Sequence, residues 1–584
     1  MNKLNGKNGM SRRNFLSLAG GTVGFAALSA ISAPMGWAKN ESEIDADNIN
    51  SKINKTDVLV IGGGMAGLFA AVKANDAGAK VMMVSKGRLG SSGQTPFAKG
   101  IFSFDEKSSN VSLDEFVDSV SRSALNSNNR AYTRQMAENS KARVEELREW
   151  GFFESSLYNA SFSKPINDRN IDLKERIVIT HLIKQDGIIA GASGFGLDDE
   201  EIYVFNAKSI ILCTGAGGFK PNGFPICDLT HDGTIMAYNI GAKVTGKEWN
   251  DGHPGQSTNS AACFDNWHGM FERKPSTTSV EIHHDLGVDL NYIAYNNGSP
   301  VQMEPPGSNG NKVSGGPYVP EEFKRRRPPK DDKRPPRRKD SSNEGGAPPG
   351  MSGDMVGGSS AGLAIHKSEG VVPINDKCES NIHGLYAAGD ALGSYMSGAI
   401  YTQVGSSLAG SASQGAVAGK EAAKYARKTP LKKIPTSKID KISEEILAPL
   451  KREAGYSPAW VTQTLQSIMI PNFVLYIKKG NILQAALAYI EELRDHHMQM
   501  LKAKDMHELR LAHETKNMII SAEMKLKASI MRKESRCSHY RLDYPDMDND
   551  NWRAWINIYK GSDGAMKFEK QPFDNWPNGE RIIV

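Results

Sequence analysis

The stretch Thr56-Asp57-Val58-Leu59-Val60-Ile61, followed at once by Gly62-Gly63-Gly64-Met65-Ala66-Gly67, constrains the fold of this chain more tightly than any other. The first six residues carry the short apolar run of a buried strand, Leu68 to Ala77 reads as a helix, and Lys80 to Val84 reads as a second strand. A Gly-x-Gly-x-x-Gly turn in that setting puts a pyrophosphate at the helix N-terminus. Gly62 then permits the tight turn, Gly64 lets phosphates approach the backbone, and Gly67 lets helix and strand pack closely, with Met65 and Ala66 completing the binding loop. The pattern predicts a Rossmann-like α/β domain that binds a dinucleotide.

At 584 residues the chain is too long for one simple core. Its 39% hydrophobic and 23% charged residues exclude the disordered and multispan membrane classes. A net charge of +5 implies no nucleic-acid partner. Cysteines at 213, 227, 263, 378 and 537 form no Cys-x-x-Cys pair, so zinc, iron–sulfur and haem attachment spacings are absent and no metal site is expected. Redox chemistry would therefore use a bound organic cofactor.

The N-terminus reads as an address. Ser11-Arg12-Arg13-Asn14-Phe15-Leu16, the apolar run from Leu18 to Ala33 and the exit Gly36-Trp37-Ala38 have the anatomy of a twin-arginine signal, which exports folded cofactor proteins. The run is shorter than the roughly 20 residues a spanning helix needs. Cleavage after Ala38 would leave a polar leader, 39–54, and a periplasmic protein or one on the outer face of the cytoplasmic membrane.

The second strand ends in Ser85-Lys86, where an acid would usually hold a ribose. The segment Val84-Ser85-Lys86-Gly87-Arg88, running on through Ser92-Gly93-Gln94-Thr95 to Ala98-Lys99-Gly100-Ile101, resembles the succinate dehydrogenase and fumarate reductase flavoproteins, a family that includes L-aspartate oxidase and the adenylylsulfate reductase flavoprotein. The resemblance recurs at Ile210 to Gly218 with Thr214 and Gly215, at Thr230-His231-Asp232-Gly233, at Gly384 to Asp390 with Gly389, at Gly405-Ser406-Ser407-Leu408, and at Glu534-Ser535-Arg536 through Trp552. It implies FAD as cofactor, held by these residues together with Ser85, Lys86, Thr95, Ala98 and Gly100. Asp232 and Asp390 would accept ribose or ribityl hydroxyls, and the Ser406-Ser407-Leu408 helix start would aim N–H groups at the flavin's pyrimidine edge.

Three departures bear on the substrate. Gln94 stands before Thr95 where flavin-linking members have histidine, so FAD is expected to be noncovalent. Ile400-Tyr401-Thr402-Gln403-Val404 lacks the arginine that grips a dicarboxylate in relatives. Ser352-Gly353-Asp354-Met355-Val356-Gly357-Gly358 carries a carboxylate near where relatives place a histidine. Both losses argue against C4-dicarboxylates, because an unpaired anion is costly to bury. Glu248, His253 and Pro254 match the relatives' Glu-to-His-Pro segment, which makes His253 the expected substrate contact. Arg273, in the cap, is a second catalytic candidate, a substrate or proton-delivering arginine.

The expected architecture is a two-part FAD-binding Rossmann-like domain with an inserted α+β capping domain and a C-terminal helical domain. The signal occupies 1–38, the FAD domain 54–253 and 354–428, the cap 254–353, the helical domain 440–541 and the tail 542–584. Within the cap, 318–350 is rich in proline, arginine and lysine, a solvated loop or a dock for an acidic redox partner or an anionic membrane surface. Leu483, Leu487, Ile490, Leu493 and His497, then Leu509, Ala512, Met518 and Ala522, recur at helical spacing, so the histidines of that region read as packing residues. Two functions stay open. One is an FAD oxidoreductase exchanging hydride with a small molecule and electrons with a separate cytochrome or iron–sulfur carrier. The other is a flavin-binding electron-transfer or scaffold subunit whose substrate site has degenerated. Cytosolic aspartate-oxidase-like chemistry is disfavoured by the signal and by the lost carboxylate binders.

Overall fold

A computed structural model describes residues 46, 49–98, 100–154, 158–220, 226, 228–250, 254–256, 274–277, 285–303, 353–357, 368–400 and 405–584. The signal segment, His253, Arg273 and the insert 318–350 lie outside the described residues.

The glycine motif falls as expected between β1 (Ser51–Ile61) and α1 (Met65–Asp76), with β2 (Val81–Ser85) following. β1 opens at Ser51, inside the stretch expected to be leader, because Ser51 to Lys55 pair with residues 202–206 of a distant strand. α2 (Leu113–Ser123) and α3 (Arg130–Glu149) come next. They are followed by β3 (Asp172–Glu175), β4 (Ile177–Gln185), β5 (Ile188–Gly196) and β6 (Ile202–Leu212). Among the described residues the main sheet has the order β3-β2-β1-β6-β5-β4, with β12 (Leu385–Ala387) joining the end of β6. The pairs β3–β2, β2–β1, β1–β6 and β6–β12 are parallel, whereas β6–β5 and β5–β4 are antiparallel. Val58, Leu59 and Val60 are fully buried, which accounts for the unbroken apolar run in β1.

α6 (Ser406–Lys428) lies directly on α1. Its alanine, glycine and serine content is a packing requirement. A Cβ on Gly415 would come within 2.2 Å of the Ala66 carbonyl oxygen, and one on Gly419 within 2.4 Å of that of Ala70. The two helices can touch backbone to backbone only if these positions lack side chains.

After α4 (Asp232–Asn239), β7 (Val244–Thr245) leads toward the cap. The described part of the cap is mixed: α5 (Leu286–Asn297) and an antiparallel sheet in the order β8 (Pro254–Gln256), β10 (Gly353–Gly357), β9 (Val301–Met303), in which β10 runs past the expected boundary at 353 because it pairs with β8 and β9. The C-terminal region is built from α7 (Thr436–Leu447), α8 (Pro458–Met469), α9 (Gly480–Glu492) and α10 (Met506–Met531), with β13 (Ile477–Lys478) pairing β14 (Tyr540–Arg541). The tail forms β15 (Ala554–Lys560) and β16 (Met566–Pro572), which join β7 and β11 (Gly370–Val371) in a sheet ordered β11-β7-β15-β16.

Candidate FAD site

A cleft runs over the first strand–helix turn. Gly62, Gly64, Met65 and Ala66 line it, as do Ser85, Lys86, Thr95, Thr214, Gly215, Asp232, Gly389 and Asp390. Gly62 has φ +121°, a conformation only glycine takes readily, and a Cβ there would lie 2.1 Å from the Cys213 carbonyl oxygen. Gly67 is outside the lining and has the packing role read from the sequence: its Cβ would meet the Gly62 oxygen at 1.9 Å. The first turn of α1 holds no acidic residue and Gly64 supplies no capping side chain, so the helix N-terminus is left for an external anion. Thr95 accepts a hydrogen bond from the Met65 amide at 3.3 Å, fixing the far wall.

At the end of β2 the Lys86 ammonium donates to Asp232 Oδ2 at 2.8 Å, Glu514 Oε1 at 2.7 Å and Thr230 Oγ1 at 3.0 Å. Burial opposes its charge, but Asp232, Glu514 and Asp228 outweigh that and hold its pKa above the ordinary lysine value. Lys86 thus lines the cleft with its three N–H groups directed at protein oxygens. Asp232 faces the cleft and is tied to the protein as well. Its Oδ2 is occupied by Lys86 and Thr230, and its Oδ1 accepts from Asn517 Nδ2 at 2.9 Å. Burial would raise its pKa, yet Lys86 brings it below the usual carboxylate value and keeps the group ionised.

At the other end, α6 starts where expected, at Ser406 after Gly405 with φ +82°, again with no acid in its first turn. Ser406 Oγ is fully buried and has no hydrogen-bond partner, as does Thr214 Oγ1 in the cleft. Ser406, Ser407 and Leu408 do not line the cleft, whereas Ser411, one helical turn further on, does. Gln94 lines it as well and donates to Asp390 Oδ2 at 3.1 Å. Ala98 and Gly100 are not brought to the cleft. Sequence reasoning missed Asp228, Ile177 and Ile179 in the wall. Helical spacing from Ser407 was the available signal for Ser411, while the two isoleucines sit in an ordinary apolar strand and offered none. Glycine turns, two uncapped helix N-termini and orphaned hydroxyls fit a group with a pyrophosphate and a polar ring edge, which is the chemistry of FAD.

The segment before His253 is gripped by the C-terminal region. Glu248 is fully buried and accepts both Arg532 Nε, at 3.0 Å, and Arg532 Nη2, at 2.9 Å. Lys525 Nζ donates to the carbonyls of Lys247 and Trp249 at 2.8 and 2.6 Å, and Lys478 Nζ donates to that of Glu248. Burial pushes the Lys525 pKa down to about 8 and that of Lys478 well below the lysine value. The Asn250 amide donates to Ser538 Oγ, and its side chain to the Leu475 carbonyl. Lys247 pairs with buried Glu369; burial alone would raise the Glu369 pKa, but Lys247 and His231 beside it bring it down to about 2.

Residues 57–167 match the FAD binding domain family model, and residues 462–581 match that of the fumarate reductase flavoprotein C-terminus. An uncharacterized FAD-dependent oxidoreductase of Methanocaldococcus jannaschii is 26% identical, covering 90% of this chain and 99% of its own. One subunit of the fumarate reductase (CoM/CoB) of Methanothermobacter marburgensis is 24% identical, over 87% and 98%. The structure of adenylylsulfate reductase from Archaeoglobus fulgidus shares the fold, with a TM-score of 0.68 at 18% identity, covering 91% of this chain and 98% of that one. With the cleft, the two matched segments and relatives aligned end to end, the chain belongs to the succinate dehydrogenase and fumarate reductase flavoprotein family and is an FAD-dependent oxidoreductase.

Proposed function

We propose that the chain is an exported flavin subunit that holds FAD noncovalently, exchanges hydride with a small anionic or unsaturated substrate other than a C4-dicarboxylate, and passes electrons to or from a separate carrier. The observation that carries this reading is the flavin cleft with Gln94 in its wall, hydrogen-bonded to Asp390 where an imidazole would be needed for a covalent link. Bound FAD supplies two-electron chemistry. The protein's part is to orient the ring from the α6 start and to present His253, with Arg273, to the substrate. Ile400 to Val404 offers no cation for a second carboxylate. The twin-arginine segment supports export, and the basic insert supports docking of an acidic carrier or an anionic membrane surface.

Anaerobic reduction of the purified holoprotein, followed by stopped-flow reoxidation with unsaturated acids, aromatic enoates, sulfur oxyanions and quinones, tests the enzyme reading. One class is expected to reoxidise the flavin at least tenfold faster than fumarate does. Reoxidation by generic redox dyes alone would establish the second reading, a flavin-binding electron-transfer or scaffold subunit, which the missing carboxylate binders favour. N-terminal sequencing of the protein from the periplasmic fraction tests export: the exported form is expected to begin near Lys39, and a start at Met1 would count against removal of a signal.

A further inference from the structure

We propose that α10 braces the adenosine end of the cofactor site from behind: Glu514 and Asn517 position Lys86 and the expected ribose acceptor Asp232, so that FAD binding and the packing of the C-terminal helices are thermodynamically linked.

The argument starts from the departure at Ser85-Lys86. In a dinucleotide fold the end of the second strand meets the adenosine ribose, and an acid there accepts its hydroxyls. Here the strand end carries a cation, and the cation draws in a carboxylate from another element, the first turn of α4. Lys86 and Asp232 both line the cleft, and Asp232 is the carboxylate that Lys86 holds at 2.8 Å. Asp232 keeps one acceptor site on Oδ1, because Asn517 uses a single lone-pair direction there and Lys86 and Thr230 share Oδ2. A ribose hydroxyl can donate to that remaining site.

Neither partner is held by its own domain alone. Glu514 at 2.7 Å holds the ammonium together with Asp232, and Asn517, three residues further along α10, holds the carboxylate. Arg510 on the same helix pairs with Asp228 at 3.2 Å and Glu514 at 3.3 Å, closing the cluster. Two cations thus face three carboxylates, all mostly buried, and α10 supplies one of each. Glu514 and Asn517 do not line the cleft, so they are positioning residues. A ligand whose site requires this arrangement must stabilise it in return, since coupling between two sites is reciprocal.

The test uses full-length holoprotein. Release of FAD, followed by recovery of free-flavin fluorescence after dilution, is expected to be about tenfold faster in Glu514→Gln and several-fold faster in Asn517→Ala. Glu514→Asp should recover part of the loss. Lys527→Gln, on the same helix but paired with Glu523 away from the cleft, should release FAD at the parent rate. In the unaltered protein, amide hydrogen exchange across 510–517 should slow when FAD is bound relative to the flavin-depleted chain. The proposal is overturned if Glu514→Gln and Asn517→Ala lower the melting temperature while FAD release stays within twofold of the parent, or if exchange in α10 is indifferent to FAD. Should Glu514→Gln fail to fold, Asn517→Ala and the exchange experiment decide alone.

Discussion

Arg532 offers the sharpest energetic test of how the segment before His253 is held. Its guanidinium is fully buried and donates to Glu248, to Glu534 Oε1 at 2.7 Å, and to the carbonyls of Trp552 and Ala554 at 3.1 and 2.6 Å, while lying 4.6 Å from the centre of the Trp249 ring. In Arg532→Met, Glu534 keeps Arg536, which grips both of its oxygens, but Glu248 loses the guanidinium that donates both of its hydrogen bonds. Breaking a buried pair by removing one partner costs about 3–5 kcal/mol. The two stranded carbonyls bring the expected loss to at least about 4 kcal/mol, since each orphaned acceptor costs about 1–3 kcal/mol. A chain of 584 residues need not unfold in one step, so the measurement is the local opening free energy from hydrogen exchange of amides at 248–250 and 532–536. Glu248→Gln in the same background removes the unpaired charge and should recover about 1–3 kcal/mol, a coupling of the size contacting residues show. A single-variant loss under about 1 kcal/mol, or a double variant additive to within about 0.5 kcal/mol, refutes the reasoning.

The glycine geometry predicts a contrast: Gly67→Ala, whose Cβ would meet the Gly62 oxygen at 1.9 Å, should purify without flavin, whereas Gly64→Ala, with Thr95 Oγ1 at 3.2 Å, should keep FAD with weakened affinity, both read from the 450 nm to 280 nm absorbance ratio. Acid precipitation should leave all flavin in the supernatant, and flavin retained on the polypeptide would refute the noncovalent reading at Gln94. Burial lowers the His513 pKa to about 3, with its ring against the Ile446 carbonyl, so between about 6.5 and 3 the unfolded chain binds the proton that the folded one refuses, and stability falls as pH drops through that window. Glu369, held at about 2, adds a loss as pH falls from about 4.5 to about 2, and His513→Gln should flatten only the upper part of the acid unfolding curve followed by tryptophan fluorescence.

The glycine turn was legible because strand, turn and helix are decided by residues within one short stretch. The anchoring of Asp232 was not, because it is made by contact with Lys86, 146 positions away, and with Asn517, 285 positions away. Likewise β1 begins earlier than its apolar run suggests, since Ser51 to Lys55 owe their strand geometry to pairing with β6 rather than to their own side chains. The helical pattern through Leu493 and His497 was real, yet the chain leaves the α-helix there in a π-turn, Leu493–His497. His497 packs on Tyr456 with ring centres 4.4 Å apart, and the Tyr456 backbone bonds both Met500 and Lys502, contacts that draw the chain out of the helix. The tail forms strands because Asn557 and Ile558 pair with Thr245 and Val244.

α10 shows why the apolar pattern alone understates what a helix does. Leu509, Ala512, Met518 and Ala522 were readable as its packing face, and all four are buried. Glu514, Asn517, Ser521 and Lys525 recur at spacings of three and four as well, and polar residues so spaced would ordinarily mark a solvated side. Glu514, Ser521 and Lys525 are buried, and each residue of the stripe has a partner in the FAD domain or in the segment leaving it: Lys86, Asp232, Lys247, and the carbonyls of Lys247 and Trp249. At about 1.5 Å per residue the stripe is roughly 16 Å long. It therefore runs, on one rigid element, from the end of β2 to Lys247 and Trp249, six and four positions before His253. A buried polar stripe costs desolvation unless every group is met, and a helix that meets every group at both ends fixes the distance between them. The C-terminal helices thus set the spacing between the end of β2 and the segment that leads to the cap, which neither glycine motif nor family motif encodes by itself.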